Sequence, residues 1–98
     1  MEINKNKNGE TLEIALTGRL DTTTAPQLDE VIKSDLDGIS SLTFNLSSLD
    51  YISSAGLRVL LSAQKVMNKQ GEMKIIHVND SIMEIFEVTG FSDILTIE

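Results

Sequence analysis

The sequence predicts a single-domain α/β fold, in which helices pack on a mixed β-sheet. Short runs with period-two apolar alternation take turns with longer runs of helical periodicity, which indicates parallel strands joined by helical crossovers. An Asn-Gly pair near the N-terminus predicts a β-hairpin that adds an antiparallel edge strand. Each of three helical stretches is followed by a glycine, which marks where it stops. The predicted order is β-β-α-β-α-β-α-β, and 98 residues suit one domain, 1–98.

The hairpin joins strands predicted at 3–7 and 11–17. Asn8-Gly9 lies between them and favours a type I′ turn, which needs positive φ at both central residues. In the second strand the residues of one face are apolar and those of the other face are mostly polar, which is typical of a half-buried strand. The apolar residues are Leu12, Ile14 and Leu16.

The first helix is predicted to begin at Thr24. Thr24 can cap it, Gln27 has capping-box spacing, and Pro26 suits the first turn. Gly38 lies just past its end. The apolar stripe consists of Leu28, Val31, Ile32 and Leu36.

The middle of the chain predicts a strand at 39–46 and a loop at 47–54. A second helix follows, beginning near Ala55 or Gly56 and ending at Gly71.

The last third predicts a short apolar strand at 73–78 and a third helix opened by Asn79-Asp80-Ser81. Ser81 and Glu84 have capping-box spacing, and Gly90 ends the helix. A last strand is expected at 94–97.

Composition excludes several functional classes. The formal net charge of −7 disfavours direct contact with nucleic acid or an anionic membrane surface. There is no cysteine and one histidine, so neither a metal site nor a bound cofactor is expected. No apolar run is long enough to span a membrane, and the N-terminal residues lack the apolar centre of a signal peptide. We therefore expect a cytoplasmic protein.

Enzymatic functions are poorly supported, and no catalytic residue is expected. Residues 52–56 lack the first glycine of a Gly-x-Ser-x-Gly elbow, and no phosphate-binding glycine motif occurs. His77 falls inside a predicted strand, which favours a packed or edge imidazole over a general base. Asp50 could be the phosphoacceptor of a receiver domain, but the acidic pair and late lysine of that fold are missing.

Two loops are expected at the carboxyl ends of strands, where α/β sheets bind ligands and partners: 18–24 and 47–56. Ser53 and Ser54 directly precede a helix, whose first-turn N–H groups would stabilise an added phosphate. The alternative is that one serine is merely an N-cap and that Gly56 allows close packing. From these residues alone the cap is the more economical interpretation.

Three stretches resemble the STAS domains, and among them the anti-sigma factor antagonists. The first resembles the family's Gly-x-Leu-Asp, the second its Asn-Leu-x-x-Leu strand end, and the third its phosphoacceptor loop and following helix. They are Gly18-Arg19-Leu20-Asp21, Phe44-Asn45-Leu46 with Leu49, and the run from Tyr51 to Leu60. The order of elements and the length also agree, so the resemblance covers the whole chain and implies a STAS-like fold.

The resemblance implies partner switching. In this family the unmodified antagonist binds an anti-sigma factor that is also a serine protein kinase, and a sigma factor is released. Phosphorylation then dissociates the complex, and a serine phosphatase reverses it. With Gly56-Leu57 as the anchor, the phosphoacceptor is Ser54. Many members have Asp just before the acceptor, whereas this chain has Ser53, which therefore competes for the role.

The same resemblance implies a partner-binding surface around both loops. Its expected members are Asp21, Thr22, Thr23, Asp50, Ser53, Ser54, Ala55, Gly56 and Arg58. Two alternatives remain open. One is a STAS accessory subunit that binds the ATPase of a transport complex without being phosphorylated, and the other is a small enzyme or nucleotide-binding protein.

Overall fold

A computed structural model describes residues 1–98 and contains four strands, three α-helices and one 3₁₀ turn. In chain order they are β1 (Glu2–Asn8), β2 (Thr11–Leu20), α1 (Ala25–Asp35), β3 (Ser41–Ile52), α2 (Ser54–Gln70), β4 (Glu72–Ile76), α3 (Asp80–Thr89) and a 3₁₀ turn (Phe91–Asp93). No helix is both long enough and apolar enough to cross a membrane.

The four strands form one mixed sheet in the order β1-β2-β3-β4. The β1–β2 pair is antiparallel, whereas β2–β3 and β3–β4 are parallel. The predicted α/β class with a hairpin edge is confirmed. Because three strands run in the same direction, their carboxyl ends meet at one edge of the sheet, which we call the C-terminal edge.

Helices cover one face of the sheet and leave the other largely bare. In β2 the residues Leu12, Ile14 and Leu16 are fully buried, while the alternating Glu13 and Ala15 are only partly so. All 24 buried apolar residues join a single cluster, to which every helix contributes. The sheet is therefore packed from one side, as in a two-layer α/β domain.

The prediction for β3 was wrong in length, because this strand runs from Ser41 to Ile52 and includes most of the predicted loop. The pairing with β2 shifts register twice, so β3 carries two extra residues opposite Ala15–Thr17 and Gly18–Arg19. Such bulges break the period-two pattern and make a strand look like a loop. β2 likewise continues through Gly18 to Leu20.

The hairpin turn is also shifted by one residue. Asn8 pairs with Thr11, so Gly9 and Glu10 are the central residues rather than Asn8 and Gly9. Only Gly9 has positive φ, at 64°. Positive φ at the first central position alone is the pattern of a type II′ turn and not of type I′.

Two helix starts differ from the predicted capping boxes. Thr24 precedes α1 but makes no side-chain cap hydrogen bond. Helix α3 is capped by Asn79 and not by Ser81, since the Ile82 amide donates to Asn79 Oδ1 at 2.9 Å. The Asn79 side chain also donates to the Leu49 carbonyl, which ties α3 to the bulged part of β3.

The end of the chain departs most from prediction. Strand β4 stops at Ile76, and His77 lies outside it, exposed and with φ of 58°. The strand expected at 94–97 does not form. The 3₁₀ turn lies immediately before it, and Ile97 makes only an isolated parallel bridge to Ile75. Two backbone hydrogen bonds make this bridge: the Ile75 amide donates to the Thr96 carbonyl at 2.8 Å, and the Glu98 amide donates to the Ile75 carbonyl at 2.9 Å.

Gly71 connects α2 to β4, and its backbone packs against the residue that precedes β3. A Cβ built there would collide with the Ser40 carbonyl group, whose carbon would be 2.6 Å away. The Glu72 amide donates to the same carbonyl at 3.0 Å. The close approach of two backbones thus requires glycine at this position.

We predict that Gly71→Ala lowers the free energy of unfolding by about 2–3 kcal/mol, because a backbone group must move. The matched control is Gly38→Ala, where φ is 79° but a Cβ would have open space. That change should cost only about 1 kcal/mol from backbone conformation. Urea unfolding monitored by circular dichroism measures both, and equal losses would contradict the contact.

Candidate functional site

The ends of β2 and β3 are joined directly at the C-terminal edge. Leu20 pairs with Ile52, and the Ser53 amide donates to the Leu20 carbonyl at 2.9 Å. The turn after β2 and the start of α2 are therefore held side by side. The sequence placed these two loops at the same edge, and the structure brings them into contact.

Gly56 fixes how closely the start of α2 approaches the sheet. It is buried, and a Cβ there would lie 2.6 Å from Leu20 Cγ and 2.9 Å from Ile52 Cγ1. Gly56 therefore packs against the strand ends and has little surface to offer a partner. This is the close packing that the alternative interpretation expected of it.

The two serines occupy different environments. Ser53 is half-buried and is the N-cap of α2, with its Oγ accepting from the Gly56 amide at a long 3.4 Å. Ser54 is the first helical residue, is exposed, and makes no side-chain hydrogen bond. The helix thus begins one residue before the predicted Ala55. The capping role falls on one serine and leaves the other hydroxyl free.

Asp21 organises the turn beside Ser53 and Ser54. Its Oδ1 accepts hydrogen bonds from the Thr23 amide, the Thr23 hydroxyl and the Thr24 amide, at 3.0, 2.7 and 3.2 Å. The Thr24 hydroxyl in turn donates to the Arg19 carbonyl at 2.7 Å. This network replaces the predicted Thr24 cap and leaves Thr22 and Thr23 exposed on the turn.

These hydrogen bonds lower the pKa of the Asp21 carboxyl, the Thr23 hydroxyl having the largest effect. A folded-state pKa below the unfolded one stabilises the turn at every pH above the ordinary aspartate range. The stabilisation is lost only as the pH falls through the depressed value. The turn is therefore insensitive to pH near neutrality, and Asp21 is a fixed negative charge there.

A shallow groove of about 320 Å³ runs between the first turns of α1 and α2. On one side it is lined by Thr22, Ala25, Pro26 and Asp29, and on the other by Ala55, Arg58, Val59 and Ser62. Three expected partner-binding residues, Thr22, Ala55 and Arg58, thus share one surface. Sequence reasoning missed the others, although both sets follow the i, i+3, i+4, i+7 spacing of one helix face.

An exposed Arg–Tyr pair adjoins the same edge. Arg19 lies over the Tyr51 ring at 4.4 Å from its centroid, and its Nε is 3.7 Å from Asp21 Oδ2. The sequence could not reveal this pair, because the two bulges in β3 set the Arg19–Tyr51 register. Asp50 is exposed beside Tyr51 and makes no ion pair.

Side chains able to hold a metal do not converge anywhere in the structure: no group of three His, Asp or Glu residues is suitably placed. The functional groups at the C-terminal edge are the free hydroxyl of Ser54, the hydrogen-bonded Asp21 turn and the exposed side chain of Arg58.

Known proteins of similar sequence include the anti-sigma-B factor antagonist of Staphylococcus aureus. It is 34% identical over 85 residues, which span 85% of this chain and 79% of that protein.

Known structures share the fold at lower identity. An anti-sigma factor antagonist from Mycobacterium paratuberculosis superimposes with a TM-score of 0.87 at 18% identity, covering 98% of this chain and 83% of that one. The Bacillus protein SpoIIAA in its phosphorylated form gives 0.77 at 17% identity, covering 99% and 91%. Its unphosphorylated form, described as an anti-sigma factor antagonist, gives 0.79 at 17% identity, covering 99% and 87%.

The family model for the STAS domain matches residues 2–98, which is nearly the whole sequence. The resemblance inferred from the three motifs is confirmed by this match and by the sequence relative. The chain belongs to the STAS domain family.

Proposed function

We propose that this protein is an anti-sigma factor antagonist that is controlled by phosphorylation of Ser54. In its unmodified form it binds an anti-sigma factor that is also a serine protein kinase, so that a sigma factor is released. The observation that carries the proposal is the exposed, unbonded Ser54 hydroxyl beside the Asp21 turn. The relative from S. aureus bears the name of this function.

Ser54 is a better acceptor than Ser53 for two physical reasons. A kinase needs access to the hydroxyl, and Ser54 is exposed whereas Ser53 is half-buried. A phosphate on Ser53 would also displace its hydrogen bond with the Gly56 amide. Modification at Ser54 disturbs no hydrogen bond of the folded protein.

A phosphate on Ser54 would change binding far more than folding. The unmodified surface presents small neutral groups, Ser54, Ala55 and Thr22, which a partner can approach closely. Phosphorylation adds nearly two negative charges and bulk at that contact. A penalty of about 3 kcal/mol would weaken binding more than a hundredfold. The N-terminus of a helix meanwhile tolerates negative charge, so the fold is kept.

The partner surface of this proposal is the groove together with the Asp21 turn. A partner can contact four of its residues, which are exposed or half-buried: Thr22, Thr23, Ala55 and Arg58. Gly56 contributes indirectly, because it sets the position of α2. Asp21 holds the turn in shape through Thr23 and Thr24. A serine phosphatase that restores the unmodified form completes the cycle. The protein is thus a substrate and a binding partner, with no catalytic step of its own.

We predict that incubation with ATP and a serine kinase of the anti-sigma type encoded beside this gene adds one phosphate to the chain. Ser54→Ala should abolish incorporation, and Ser53→Ala should retain it. The matched control is Ser62→Ala, an exposed serine on the groove side of α2. Intact-mass spectrometry measures all four proteins.

If the added phosphate persists in Ser54→Ala and is absent from Ser53→Ala, the acceptor is Ser53 and not Ser54. An active kinase that binds the wild-type chain without modifying it would favour the accessory-subunit alternative. Catalytic turnover by the isolated chain that survives Ser54→Ala would favour an enzyme.

The different roles of the two serines predict different stabilities. Ser54→Asp places a carboxylate in the first turn of α2, so the free energy of unfolding should stay within about 0.5 kcal/mol of wild type. Ser53→Ala removes the long cap hydrogen bond and should cost about 0.5–1 kcal/mol. Urea unfolding tests both, and a larger loss in Ser54→Asp would make Ser54 a structural residue.

A further inference from the structure

We propose that the phosphate on Ser54 forms an ion pair with Arg58 of the same helix. The inference deepens the proposed function, since it takes Ser54 as the modified residue. It assigns Arg58 a second role: the arginine is free in the unmodified protein and is occupied in the phosphorylated one. Phosphorylation would then change the partner surface at two positions.

The positions of the two side chains in α2 support this pair. Both residues are exposed and lie in one uninterrupted helix, from Ser54 to Gln70. Residues four apart lie on the same helix face, about 6 Å apart along the axis. Helical side chains point towards the N-terminus, so the Arg58 side chain extends towards the turn that contains Ser54. A guanidinium reaches this far and matches the geometry of a phosphate.

Arg58 has no partner in the unmodified protein. Its guanidinium makes no ion pair and no hydrogen bond, and the Ser62 hydroxyl contacts only the backbone carbonyl of Arg58. The other cation at this edge, Arg19, is engaged by Tyr51 and Asp21. Arg58 is therefore the cation that can pair with a new anion without giving up another contact.

The negative charges around Ser54 increase the stabilisation that an ion pair with Arg58 would give to the phosphate. Three carboxylates belong to the neighbouring elements. Asp21 directly follows β2, Asp50 lies near the end of β3, and Asp29 of α1 lines the groove. Asp29 is already paired with Lys33 at 2.9 Å. A phosphate would enter this acidic neighbourhood, in which Arg58 makes no ion pair while Arg19 is already engaged. The pair would offset part of the repulsion from these carboxylates.

The consequence for binding follows from the groove. Arg58 lines it together with Thr22 and Ala55, so the unmodified protein offers a positive charge to an acidic group on a partner. Once the guanidinium is held by the phosphate, that charge is no longer available. The switch would act by adding an anion and by withdrawing a cation at the same contact.

The test is a ³¹P NMR titration of a full-length chain with phosphoserine inserted at position 54 during synthesis. Because Arg58 stabilises the dianion, the second pKa of the phosphate should be lower in the wild-type chain than in Arg58→Gln, by about 0.2–0.4 units. Arg58→Lys should restore part of that difference. The matched control is Lys65→Gln. It also removes one positive charge from an exposed site on α2, but this site lies about 16 Å from Ser54 along the helix axis. It should leave the phosphate pKa almost unchanged.

A second readout needs no variant. The Arg58 side-chain Nε–H resonance should shift between the unmodified chain and the phosphoserine chain, while that of Arg19 should not. Equal phosphate pKa values in wild type and Arg58→Gln, or an unchanged Arg58 resonance, would overturn the pair. The phosphate is built in without a kinase, so a chain that no kinase modifies would overturn the proposed function but not this inference.

Discussion

The parallel pairing of β2 with β3 right up to Leu20 and Ile52 is the constraint on which the rest of the structure depends. Two bulges lengthen β3 just enough for both strands to end together, and the Ser53 amide closes the edge by donating to the Leu20 carbonyl. The start of α2 can reach this position only because Gly56 has no side chain. One packing contact therefore brings the Asp21 turn and Ser54 to the same surface.

If the proposed function holds, this arrangement separates the residues that stabilise the edge from those that regulate binding. The residues that hold the edge in place are engaged in packing or in hydrogen bonds. Gly56 packs against Leu20 and Ile52, Ser53 caps α2, and the Asp21 carboxylate accepts from Thr23 and Thr24. Side chains that have no structural duty, Ser54 and Arg58, are exposed on the first turns of α2. A covalent change can then alter what the surface binds while the core stays intact. With a net charge of −7, the effect of a phosphate must come from its position rather than from the total charge.

The sequence was sufficient for the fold class, the helices and the proximity of the two loops, because apolar periodicity and strand-end placement are local or topological signals. Sequence-based prediction failed for features that depend on backbone geometry, namely strand length, turn position and strand register. The bulges in β3 disguised a strand as a loop, and the turn at Gly9 moved by one residue. The Arg19–Tyr51 pair depends on a register that no local pattern specifies. The division of labour between Ser53 and Ser54 depends on which residue begins α2, a boundary that sequence leaves uncertain by a residue or more.

In the proposed function, a phosphate on Ser54 strongly weakens binding to the kinase partner without unfolding the protein. Calorimetric titration of that partner with the unmodified chain and with the phosphoserine-54 chain, each also melted alone, tests it most directly. We expect the phosphorylated chain to bind at least a hundredfold more weakly, a difference of about 3 kcal/mol, with nearly equal melting temperatures for the two chains. Equal affinities, or weaker binding accompanied by a large fall in melting temperature, would contradict it.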